Sequence, residues 1–386
     1  MKILAHAQEL IYQLLDGMPS AYQRQSLKAL LELFLKAQGT PLPEHSDLKS
    51  ASALSRFLTV YTWSVRQVIR QMRQAIRQEL KRYRPRGRRP HLQVMLDMTT
   101  LEKRGKFKAF SDLISVFHGK RGVHLVVLYL VVGPWRVPWS FRVYRGKGHP
   151  SAAQLGLTLV RQLPKWLKRA FKIRVLADTA FGSVDFLQGI RKLKLHAITG
   201  VRYDRKLSDG RHLFELHKPG QRVHLQGLSC PVTIAWFYLK RDGEKKRSKR
   251  YVLSTEPLKA STIVWWGRHQ WQIEGFFKTA KHRFGLHRFG QQTWLGMYRW
   301  LVLSLVAFIL AHGGYLSLET DALPDWAEAA AVVIEAVLAD VLVALLLADI
   351  ERKRPLLQQQ GIEVQKTCCE IVLSQICHRC PLFSLC

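Results

Sequence analysis

At 386 residues the chain has room for two or three compact units of roughly 100–200 residues each, and for a sizeable core. Apolar residues make up 47% and charged residues 23%, near globular averages, which excludes a disordered, collagen-like or many-span membrane protein. The charge departs from the average: 60 Lys and Arg against 28 Asp and Glu leave a net +32, so a polyanion, nucleic acid first, is the expected partner.

Residues 1–90 read as helices. In the last of them Val65, Ile69, Met72, Ile76 and Leu80 form an apolar stripe, and Arg66, Arg70, Arg73, Arg77 and Lys81 form a basic one beside it. A lone arginine row is usually a solvated face. Here Arg82, Arg84, Arg86, Arg88 and Arg89 follow within a Pro/Gly linker, which favours binding to a phosphate backbone.

After Pro90 the period changes. A short strand at 92–96 ends at Asp97, and β-rich runs follow at 123–132 and 137–144. An amphipathic helix spans 151–171, where Pro164 bends or splits it. A strand at 173–177 ends at Asp178, and a helix over 183–193 leads to a strand at 197–201. The order is βββαβαβ. Residues 203–256 are β-like, with Asp209-Gly210 and Asp242-Gly243 as turn dipeptides, and read as an insertion. A helix resumes near Ser261 and runs through Lys281. The expected organisation is a basic helical region (1–90), a core (91–202 and 257–290) interrupted by the β insertion (203–256), and a helical C-terminal region (291–386).

That last region is acidic and apolar, with no Lys or Arg from Trp300 to Glu351. It is expected to face away from the polyanion and to serve packing or assembly. The run at 300–311 is short for a bilayer, which needs ~20 residues, and the run at 329–348 carries Glu335 and Asp340, so both read as buried helices. No membrane contact is expected. The opening residues lack a secretory-signal pattern, and five of the six cysteines crowd the last 19 residues, which suits a reducing cytoplasm better than a disulfide framework. Cys377 and Cys380 form a C-x2-C pair that Cys386 and either Cys369 or Cys368 could complete as a zinc or iron–sulfur site; the spacing permits a metal without demanding one.

Asp97 and Asp178 close strands of one sheet, and Glu274 lies in the helix after the insertion. Strand ends form the mouth of the ligand crevice in α/β sheets. Taken singly, each acid reads as an ordinary turn or cap residue. Gathered together, they would suit two Mg²⁺ or Mn²⁺ ions acting on a phosphodiester.

Leu96-Asp97-Met98-Thr99-Thr100, Leu176-Ala177-Asp178-Thr179-Ala180-Phe181-Gly182 and Trp271-Gln272-Ile273-Glu274-Gly275-Phe276-Phe277-Lys278 resemble the three acidic motifs of DDE transposases of the insertion-sequence 4 type. The resemblance covers about residues 90–290. It implies an α/β fold with an RNase H-like mixed sheet and a β-strand insertion, flanked by helical N-terminal and C-terminal regions. It also implies that Asp97, Asp178 and Glu274 bind two divalent metals for nicking and strand transfer, acting on double-stranded transposon ends and target DNA in a homodimeric synaptic complex. A prokaryotic, nucleoid-associated cytoplasmic protein would follow. Lys281 matches a family lysine seven residues after the Glu and lies about 20° from its direction on a helix. A family Tyr and Arg are absent, since their positions hold Gly267 and Gln270; Trp266 or Arg268 could substitute only from an irregular helix start.

Lys278, Lys281, Arg283 and Arg288 follow the Glu, and Lys103 and Lys106 follow the first Asp, where they could hold DNA phosphates; a solvated basic face would look similar. Two other readings compete: a DNA-binding protein whose catalytic centre has decayed, and an RNase H-fold structure-specific nuclease.

Overall fold

The computed structural model describes residues 2–36, 40–82, 89–104, 108–239, 247–318 and 325–362. Lys106, the Asp242-Gly243 turn and all the C-terminal cysteines lie outside the described residues. The chain divides into two units, Met1–Leu338 and Ala339–Cys386.

The first unit is built on a nine-stranded mixed sheet. Its strands are β1 (His91–Glu102), β2 (Ile114–Phe117), β3 (Lys120–Val132), β4 (Trp135–Tyr144), β5 (Lys172–Ala177), β6 (His196–Val201), β7 (Gln221–Val223), β8 (Val232–Leu239) and β9 (Ser248–Ser254). Strands β2 and β4 pair with β3, and the order then runs β1, β5, β6, β9, β8, β7. β3 is antiparallel to β1 and β4, whereas β1, β5 and β6 are mutually parallel. This 4-3-1-5-6 arrangement is the RNase H-like core expected from the βββαβαβ order. β3 is buried from Gly122 to its end, as its Val/Leu-rich sequence requires of a strand covered on both faces.

Helix α5 (Ala152–Arg161) starts at Ser151, whose hydroxyl accepts from Gln154 N while Gln154 Oε1 accepts from Ser151 N, a reciprocal cap. Pro164 does split the expected long helix, and α6 (Lys165–Ala170) follows it. Ser183 caps α7 (Val184–Lys192). Gly156 of α5 admits the Phe181 ring so closely that a Cβ would come within 2.7 Å of it. Local sequence could not show that the insertion extends the main sheet: β9 pairs antiparallel with β6 from Ile198↔Ser254 to Val201↔Tyr251.

The expected single helix over 261–281 is two, α8 (Ala260–His269) and α9 (Gln272–His282), with a turn at Gln270 and Trp271 between them.

The amino-terminal helices are α1 (Lys2–Asp16), α2 (Ala21–Lys36), α3 (Ala51–Thr59) and α4 (Val65–Arg82). They surround α10 (Trp294–Ser317), which is followed by α11 (Trp326–Val333). Alone among the described helices, α10 is long and apolar enough to cross a membrane, but it is a mostly buried helix here. Its Arg299 donates through both terminal nitrogens to the carbonyls of Phe57, Leu58 and Trp63 and lies over the Trp63 ring, so backbone dipoles hold the buried cation. Trp300 Nε1 donates to Gly285 O at 3.0 Å and Ser304 Oγ to Phe284 O at 2.7 Å, which ties α10 to the segment leaving α9. The second unit contains α12 (Ala339–Gln359), with Pro355 inside it.

Candidate active site

The parallel pairing of β1 and β5 ends at Leu96↔Ala177. Asp97 and Asp178 are the next residue on each strand, so their backbones lie about one strand spacing, ~4.8 Å, apart. Asp178 closes β5 as expected. Asp97 does not close β1, which runs on to Glu102 because β3 keeps pairing with it through Glu102↔Gly122. What ends at Asp97 is the contact with β5.

Each acid is held by its own backbone. Asp97 Oδ1 accepts from Met98 N at 2.7 Å, and Asp178 Oδ1 accepts from Ala180 N at 3.0 Å, capping the short turn Thr179–Phe181. Gln270 Nε2 donates to Asp97 Oδ2 at 3.4 Å from the turn between α8 and α9. Glu274 stands exposed in the first turn of α9, which packs against β1.

Burial pushes the Asp97 carboxyl up to about 7, and the charges of Asp178 and Glu274 add to the shift. Asp178 is raised too, by burial first and further by Glu274, against the opposing pull of the Ala180 N–H hydrogen bond and a smaller one from His118. The three carboxylates therefore share one electrostatic neighbourhood. Among the described residues no three His, Cys, Asp or Glu side chains are spaced as a ready-made metal cage. The strand register pre-assembles the two aspartates, and the glutamate acts on them from the neighbouring helix. Mutually repelling, half-buried carboxylate oxygens are a hard donor set that fits a divalent cation.

The basic residues divide by what they touch. Lys281 is half-buried, with its pKa lowered by burial and by Lys120, whose ammonium pairs with Glu102 at 3.1 Å. Lys278 and Arg288 are exposed. Lys103 donates to Phe289 O at 2.5 Å and sits over the Phe289 ring; burial, helped by Arg288, lowers it to about 8. Arg283 reaches Leu35 O at 3.4 Å, toward the amino-terminal helices. On α4, Arg66, Arg70 and Arg77 are exposed, whereas Arg73 donates to Ser140 Oγ at 3.1 Å and lies over Trp139.

Two residues near the acids escaped sequence reasoning. His118 lies in the tight turn joining β2 and β3, where it and Gly119 have φ of 47° and 75°. A His-Gly pair between β-rich segments was the available signal for that turn. Gln270 stood out only as a departure from a motif, and its contact with Asp97 depends on the helix break. Neither suggested substitute for the missing Arg reaches the acids in its place: the Arg268 guanidinium lies over Phe237 and the buried Trp266 ring lies under Arg174. Gly267 packs on Val252, which a Cβ would approach to 3.0 Å.

Strand order and acids together define an RNase H-like protein with a carboxylate centre between neighbouring parallel strands. The family model described as the transposase DDE domain matches residues 88–310, more than half of the chain, and the chain belongs to that family of DNA-transposing enzymes. No curated protein matches it. Among solved structures, it is similar to the piggyBac transposase in a cryo-EM synaptic complex with hairpin DNA, with 12% identity and a TM-score of 0.48 over 90% of this chain and 79% of that one.

Proposed function

We propose that this transposase is of the insertion-sequence 4 type, and that Asp97, Asp178 and Glu274 are its catalytic residues. The observation that carries the reading is the β1/β5 register, which sets Asp97 beside Asp178 within the field of Glu274. Two divalent cations, Mg²⁺ or Mn²⁺, held by these acids would lower the pKa of an attacking hydroxyl and neutralise a leaving oxygen. The reaction is hydrolysis of a phosphodiester at each transposon end, freeing a 3′ hydroxyl that then attacks target DNA in line.

The chain's own residues bind and orient. The backbone N–H groups of Met98 and Ala180 fix the two aspartates, and Gln270 restrains the second oxygen of Asp97. Lys278, Lys281, Arg283 and Arg288, which follow Glu274 along the chain, and Lys103 at the end of β1, with Lys106 outside the described residues, offer charge to a DNA backbone. The exposed arginines of α4 extend that surface toward double-stranded transposon ends. Two ends must be joined in one event, which a homodimer would do. A nucleoid-associated protein of a prokaryotic cytoplasm fits the reading.

The test is a cleavage and joining assay on DNA carrying the inverted repeats that flank the gene, with Mg²⁺ or Mn²⁺. The expected result is nicking at the repeat ends followed by joining to target, abolished in Asp97→Asn, Asp178→Asn and Glu274→Gln with binding retained. Full cleavage by Asp97→Asn would sink the assignment. Binding without cleavage in the unaltered chain would instead favour a decayed centre, and cutting of branched DNA without joining would favour a structure-specific nuclease.

A further inference from the structure

A second feature lies two strands from the acids. Asp97, Val127 and Phe141 stand in one cross-strand row over β1, β3 and β4, so Phe141 is on the same face of the sheet as Asp97, ~10 Å away at the usual strand spacing. Val127 between them is buried. Beyond it a cavity of about 480 Å³ opens between α4, β4, the end of α5 and α10. That volume falls within the ~300–1,000 Å³ typical of small-ligand sites.

The lining joins aromatic and aliphatic side chains to a basic rim. Phe141 and Tyr298 form an aromatic floor, half-buried, with ring centroids 5.5 Å apart, and Trp139 lies beside them. Arg66, Arg70 and Arg73 of α4 and Arg142 of β4 form the rim, and no carboxylate lines the cavity. Among the described residues none of these four arginines pairs with an acid: Arg73 bonds Ser140 and Arg142 bonds Gln162. Arg73 Nε is buried without a hydrogen-bond partner. Four guanidinium groups without an acidic partner around a half-buried aromatic floor call for an anion joined to a flat ring.

We infer that this cavity binds a nucleotide, with its base against Phe141 and Tyr298 and its phosphate between Arg70, Arg73 and Arg142. The chemistry is that of a nucleoside phosphate, supplied by a single strand or by a free nucleotide. A duplex keeps its bases stacked and does not present it. The inference stands apart from the catalytic reading, since it uses none of the three acids and no cleavage.

The direct test is photocrosslinking of the full chain to a short oligothymidylate carrying 5-iodouracil, with the modified residue located by mass spectrometry. The expected crosslink is to Phe141 or Tyr298. Crosslinks at the exposed Trp265 or Trp271 instead, or an equal yield from a fully paired duplex, would overturn the inference. In anisotropy titrations Phe141→Leu and Tyr298→Leu should each weaken oligothymidylate binding about tenfold, within the range for one base–aromatic stack. Arg142→Gln should weaken it further, and unchanged affinity in all three would also overturn it. Crosslinking uses the unaltered protein, so it decides the matter even if a variant misfolds. Thymidine monophosphate competing as well as the oligonucleotide would identify free nucleotide as the ligand, and competition only by the oligonucleotide would identify a strand; either supports the site.

Discussion

With its carboxyl raised to about 7, Asp97 opposes folding whenever it is ionised. A group whose pKa rises on folding holds its proton more tightly in the folded state. Its stabilising share is whole below the unfolded value of 3.8 and is lost as pH climbs through about 7. At about 1.4 kcal/mol per pKa unit the penalty above that pH is roughly 4 kcal/mol, partly relieved by solvent at the half-buried side chain. Asp178 shifts in the same direction and deepens it. The metal-free protein should therefore melt at progressively lower temperature between pH 4 and pH 8. Asp97→Asn should flatten that slope and raise the midpoint at pH 8 while abolishing cleavage, as scanning calorimetry would show. Adding Mn²⁺ or Mg²⁺ at pH 8 should raise the midpoint of the unaltered protein but have far less effect on Asp97→Asn. Asp178 was legible as the residue that closes a strand, whereas β1 runs on past Asp97, and Glu274 stood out through its motif. Gln270 and His118 were not legible, because their approach to the acids is set by a helix break and a hairpin turn.

Among the elements, the α5/α7 layer sets the position of Asp178. Phe181, three residues after Asp178, seats on α5 where Gly156 leaves room, and Gly189 of α7 meets Leu157 with a would-be Cβ 2.4 Å away. Gly156→Val must push the Phe181 ring and the turn that Asp178 caps. Overpacking of this kind costs about 1–3 kcal/mol. The variant should lose that much in urea denaturation and lose cleavage beyond what the stability change explains. Helix and strand order here could be read from periodicity and from the Ser151 and Ser183 caps. The length of β1 could not, because its last six residues are held only by β3, a partner twenty or more residues on. Nor could the arginine row of α4 be apportioned in advance: Arg73 turns inward only because β4 presents Trp139 and Ser140 to it.

On the scale of the whole molecule, charge should dominate the encounter with DNA. The chain as a whole carries a net +32, and the exposed cations of α4, α9 and the segment after it provide several phosphate contacts. If 6–10 of them form, duplex affinity should fall roughly 10³- to 10⁵-fold between 50 and 200 mM salt. Filter binding across that range measures the slope, and a nearly flat response would mean that the basic surface is not the DNA surface. The polarity of charge along the chain was evident from composition. The burial of 300–311 was expected; that α1, α2 and α3 would gather around α10 was not, since Arg299 shows its use only once three carbonyls converge on it.

The joining of β9 to β6 makes the inserted segment a structural wall of the catalytic sheet. Excising residues 203–256 to obtain a minimal enzyme would strip β6 of its neighbour from Ile198 to Val201 and expose open amide and carbonyl groups beside an apolar face. Such a shortened chain should assemble edge to edge into insoluble polymers. Evolutionary trimming of this arm would have to find another cover for that border first.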